Sequence, residues 1–163
     1  MKKLISQSQI STDPIQSMEL VDLNLNPDTA DCTWIVGVKD YSGNDIPKNL
    51  RSYRFYPEWS ADRDFSSDLE FTENIPAWSL DRLIRLLPYR LLGGKDPNNK
   101  RNYDLILSFR EPAIAYMDKD HPGDDESIVA FFAGGATIYD DIINCIKWLI
   151  SKGFINSKYL NKE

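Results

Sequence analysis

The chain has 163 residues, 42% hydrophobic and 12% aromatic, enough apolar surface for a core and too much for a disordered segment. Nineteen basic residues stand against 25 acidic ones for a net charge of −6, a field that disfavours nucleic acid and anionic membrane surfaces. No apolar run approaches the roughly 20 residues of a membrane span.

Met1-Lys2-Lys3 is followed by only Leu4-Ile5 before the polar Ser6-Gln7-Ser8-Gln9, which leaves no apolar stretch for a secretory leader, so a cytoplasmic protein is expected. Residues 1–17 are polar and read as a loose arm or an edge segment. Residues 21–25 (Val-Asp-Leu-Asn-Leu) alternate with period two, the pattern of a strand with one wet face. Residues 33–39 and 51–56 read as two further strands, rich in β-branched and aromatic side chains and separated by the Ser42-Gly43-Asn44-Asp45 turn. Cys32 and Cys145 lie far apart without a CxxC spacing and are expected as buried free thiols.

Residues 58–73 hold six acids against Arg63 and read as a loop or short helical turns pinned by Trp59, Phe65, Leu69 and Phe71. Ser79 is placed to cap a helix whose apolar face is Leu80, Leu83, Ile84 and Leu87. Trp78 and Leu83 have the spacing of a hydrophobic staple, and Pro88 ends the helix. Strands are expected over 103–109, 113–117 and 128–133. The clearest element is the last. Thr137 and Asp140 form a capping-box spacing, Ile138, Ile142, Cys145, Ile146 and Leu149 recur on one face, and Gly153 supplies a left-handed stop.

The expected fold is α+β in one domain spanning 1–163. A β-rich subregion (18–57) and an acidic connector (58–74) precede a helix-β-meander-helix unit (75–155), whose antiparallel sheet carries two helices on one face. The stretch Ile75-Pro76-Ala77-Trp78-Ser79-Leu80-Asp81-Arg82-Leu83-Ile84-Arg85-Leu86-Leu87-Pro88, with the later Tyr-Asp-Leu-Ile-Leu strand and Ile146-Lys147-Trp148-Leu149, resembles small uncharacterised proteins of Bacteroides-type bacteria and their phages. That resemblance covers about 75–155 and implies a phage or mobile-element setting without any known activity.

Three segments are candidate sites. Tyr53, Phe55, Tyr56 and Trp59 could form an aromatic surface for a protein partner, next to the acidic stretch that follows. Arg82, Arg85, Arg90, Lys95, Lys100, Arg101 and Arg110 are opposed between 82 and 110 only by Asp96 and Asp104, a local charge of +5 suited to a phosphate backbone. The segment 118–126 brings Asp118, Asp120, His121 and Asp124 within reach of a divalent cation. An EF-hand starting at Asp118 fails, because its fifth and twelfth positions are Pro122 and Val129. The segment also has the Pro-Gly-Asp content of a solvated hairpin loop. No G-x-S-x-G, H-E-x-x-H or Walker spacing occurs. The leading expectation is therefore a non-enzymatic interaction or accessory protein that binds a protein partner through residues 53–73, with no cofactor. The alternatives are a nucleic-acid-associated protein using 82–110 and a metal-dependent enzyme using 118–126.

Overall fold

The computed structural model describes residues 9–39, 42–48, 51–57, 71–92, 101–108 and 113–161. The fold is α+β. It divides into two compact units, one of Ile10–Arg82 and one that groups Gln9 with the chain from Leu83 onward, so that one boundary falls inside a helix.

The first unit opens with helix α1 (Pro14–Asp22), where the sequence reading expected an arm running into a strand. Asp13 and Gln16 form a capping box, with Asp13 Oδ1 accepting from the Gln16 N–H and Gln16 Oε1 from the Asp13 N–H. Pro14 is preset for the first helical position. The alternation over 21–25 comes from the way this helix ends. Asn24 takes a left-handed φ of 67°, and the Leu25 and Asn24 N–H groups return to the Leu20 and Val21 carbonyls. Leu20 and Leu25, the two apolar residues of this Schellman closure, are fully buried. A helix unwinding through such a turn places apolar residues as a short strand does.

Strands β1 (Cys32–Gly37), β2 (Ser52–Pro57) and β3 (Phe71–Ala77) form an antiparallel sheet in the order β2-β1-β3. β1 and β2 lie where the sequence put them. β3 is a correction: the acidic connector ends in a strand that pairs with β1, so that Trp34 lies beside Phe55 on one side and Ile75 on the other. Of the connector, 58–70 lie outside the described residues. Pro57 and Pro76 both sit on edge strands, the positions where a missing N–H is tolerated.

Thr12 joins the pieces of this unit. Its N–H donates to the Trp78 carbonyl (2.9 Å), its Oγ1 accepts from the Trp78 N–H (3.0 Å) and lies 2.8 Å from Ser17 Oγ, and its carbonyl accepts from Trp34 Nε1 (2.8 Å). Trp78 Nε1 in turn donates to Thr29 Oγ1 at 2.9 Å, and that hydroxyl donates to the Asn26 carbonyl. Thr12, Ser17, Ala77 and Trp78 are fully buried.

Helix α2 (Leu80–Leu86) starts from Ser79, whose Oγ accepts from the Arg82 N–H and donates to Asp31. In the second unit, β4 (Arg90–Leu92), β5 (Asn102–Ser108), β6 (Ala113–Met117) and β7 (Ile128–Phe132) form an antiparallel meander in that order. The expected three strands are joined by β4, which is too short to show a period. Helix α3 (Ile138–Lys152) packs on β6 and β7. Its capping box and left-handed Gly153 stop are present, and all five residues of its expected apolar face are buried. Trp148 fills the space beside it, 6.2 Å from the Tyr116 ring, 6.1 Å from Phe132 and 5.7 Å from Phe154. Ahead of α3, Gly135 is dictated by space: a Cβ there would lie 2.7 Å from Asp140 Cβ and 3.0 Å from the Asp141 oxygen that accepts its N–H.

Two outcomes are expected. Thr12→Val keeps the side-chain volume but removes the acceptor for a buried N–H, so it should cost about 1–3 kcal/mol in urea unfolding; Thr12→Ser should cost less. Both cysteines are buried free thiols, and burial pushes the Cys145 thiol up to about 12. The native protein should therefore resist a thiol-specific reagent at pH 8, and both thiols should react once urea unfolds the chain.

Candidate functional site

The loop between β6 and β7 is built around one carboxylate. Asp118, 2% exposed, follows β6 directly, and its backbone N–H donates to the Ser127 carbonyl (2.8 Å) to close the loop. Its Oδ1 accepts from the Asp120 N–H (3.0 Å), and its Oδ2 accepts from His121 Nδ1 (2.9 Å). Burial alone would raise the Asp118 pKa, but the hydrogen bonds from His121 and the Asp120 N–H outweigh it and hold the carboxyl below its ordinary value.

Arg101, just before β5, reaches the same loop. Its guanidinium lies 3.9 Å from Asp118 Oδ2, 3.0 Å from Asp124 Oδ2 and 3.9 Å from Glu126 Oε2. A second group joins β4, β5 and the start of the same loop. Arg90 Nε donates to Asp104 Oδ1 (2.7 Å), and Lys119 Nζ is 3.5 Å from Asp104 Oδ2. The hydrogen bond from Arg90 is the chief reason that the Asp104 carboxyl is held low.

Two segments that the sequence offered as separate sites are thus paired with each other, in two charge clusters. Arg90 and Arg101, from the basic segment, are matched by Asp104 and by the acidic loop. The segment weighed as a candidate for a divalent cation holds a guanidinium against its carboxylates. Among the described residues no group of three or more His, Cys, Asp or Glu side chains is placed to hold a metal ion. Arg82 lies in the other unit, where its Nε donates to the Thr29 carbonyl. Arg85 closes the last turn of α2. Lys95, Lys100 and Arg110 fall outside the described residues.

Of the aromatic surface, Tyr53 is exposed, while Phe55 packs on Trp34 with ring centroids 5.2 Å apart. The Tyr56 side chain and Trp59 lie outside the described residues. Sequence reasoning missed several exposed apolar residues: Ile10, Ile15 and Met18 at and before α1, Leu92 on β4, and a group of three on β7. Ile128 is 46% exposed, Val129 41% and Phe131 62%. A nearly continuous apolar run reads as a strand buried on both faces, yet β7 pairs only with β6 among the described residues. The available signal was its place as last strand of a meander, which makes it an edge. Its register shows why two adjacent residues are exposed: Ile128 pairs with Met117 and Ala130 with Tyr116, so Val129 is the extra residue of a β-bulge.

No protein family, curated protein or solved structure matches this chain. Among the described residues no helix is long and apolar enough to cross a membrane.

The Asp118 and Asp104 pKa values are lowered on folding, so their contribution to stability is fully present above the ordinary carboxyl value of 3.8 and is lost as pH falls through the folded values. Urea midpoints should therefore drop below about pH 4. Asp118→Asn should lower the midpoint at pH 7 and flatten this acid limb; an unchanged limb would mean that the Asp118 network carries none of it.

Proposed function

We propose that this chain is a non-catalytic accessory protein of the cytoplasm that works by binding another protein, with the edge strand β7 as its contact surface. One observation carries this reading: Ile128, Val129 and Phe131 are exposed together on an edge strand. Edge strands ordinarily carry charges or prolines that block pairing with another chain, and the thirteen residues 127–139 contain neither. Large side chains left in water at such a position are the usual mark of an interaction site.

The neighbouring charge clusters support the same reading. Arg90 and Arg101 are engaged with carboxylates of their own unit, which draws down the positive field that a nucleic acid backbone would need. The phage or mobile-element setting implied by the resemblance of residues 75–155 belongs to this proposal as the context in which the partner is sought.

A photo-crosslinking amino acid at Phe131 tests the reading against one at Asn144, an exposed position on α3. Irradiation in extract of the native host should give an adduct of discrete mass from position 131 and none from 144. Equal labelling from both positions, or none from either, would remove β7 as the contact surface.

A further inference from the structure

Resting on that reading, we infer that the partner's contact segment is an extended peptide that adds to β7 as a fifth strand, apolar in alternation and carrying Lys or Arg where it meets the β6–β7 loop. Three features define this occupant. The first is backbone: among the described residues β7 uses one side of its ladder on β6 and pairs with no other strand, which leaves the groups on the other side to template an added strand. The second is the surface beside it. Phe131 is in register with Ala115 of β6, and Ala115 with Ile106 of β5, so an apolar row crosses the sheet and ends in the exposed Phe131 ring. Side chains of an added strand on that face would extend the row.

The third feature is charge. Residues 118–126 hold five carboxylates against Lys119, a charge of −4 with His121 neutral, and Arg101 reduces it to −3. Asp120, Asp124, Asp125 and Glu126 are all exposed, immediately before the first residue of β7. A strand lying along β7 therefore passes from a neutral stretch into a negative one. Cations at that end gain from the field, and anions are repelled. This also selects against a second copy of the chain. In a two-fold antiparallel pairing of β7 with itself, each acidic loop would face the uncharged end of the other strand, and each copy brings a net charge of −6. Antiparallel addition of a foreign segment places its basic residues C-terminal to its apolar core.

An array of immobilised dodecapeptides tests this. Each peptide has a core alternating Val, Ile, Tyr or Phe with Thr, made with Lys-Arg-Lys after the core, with Lys-Arg-Lys before it, and with Glu-Asp-Glu after it. The full-length chain should bind members of the first set and at least ~10-fold less of the third. Binding should be lost with Phe131→Lys, whose exposed site leaves the circular dichroism spectrum unchanged. It should shift toward the acidic-ended peptides with Asp120→Lys/Asp125→Lys. Equal binding of basic- and acidic-ended peptides, lost with Phe131→Lys, would overturn the charge requirement and leave β7 as a contact surface. Failure of every set overturns the strand-addition inference, while the crosslink at position 131 separately decides the wider reading. A dimer in light scattering that Phe131→Lys abolishes would make the occupant a second copy and also overturn the proposal.

Discussion

The exchange of hydrogen bonds between Thr12 and Trp78 joins positions 66 residues apart, and the Ile10–Arg82 unit is arranged around it. A buried N–H or C=O without a partner costs more than a made hydrogen bond gains. The end of β3, the start of α1 and the indole of β1 therefore converge on one threonine whose donors and acceptors are all engaged. The same constraint shapes the Leu83–Glu163 unit at two places. Asp118 draws the β6–β7 loop around itself, and Asp141, buried at the start of α3, takes the Gly135 N–H. In both units a buried polar side chain fixes a loop that hydrophobic patterning leaves undetermined.

This explains which parts were legible in the sequence. The cap, buried face and stop of α3 depend on residues three or four apart, so 137–153 contain all the information required. The strands 33–39, 51–56 and 113–117 were legible because their side chains favour a pleated surface wherever it lies. α1 was hidden although its signals were local: Asp13-Pro14 with Gln16 is a capping box, but the five alternating residues 21–25 spoke for a strand. β3 could not be found in this way. Glu73 and Asn74 are exposed and Pro76 interrupts any period, and the segment is a strand because β1 offers it a ladder. That information lies some forty residues away.

The candidate site divides along the same line. Composition identified the acidic loop and the basic segment correctly as charge concentrations, and each suggested a ligand when taken alone. Their juxtaposition is a tertiary fact, since Arg101 and Asp124 are 23 residues apart and meet only because β5 and β6 pair. The exposure of β7 is tertiary too. Its composition is that of a central strand, and only the order of the meander places it at the edge.

The prolines fall on the sheet edges of one unit and not on β7 of the other. In the Ile10–Arg82 unit both edge strands contain a proline and a charged residue, Pro57 with Arg54 in β2 and Pro76 with Glu73 in β3, features that disfavour an added strand. In the other unit β4 is three residues long and carries Arg90. A protein with several adhesive edges can propagate into a fibre, because each addition exposes a new end. Among the described strands β7 is the one long edge lacking both proline and charge, so no second edge of that kind is there from which a ladder could grow.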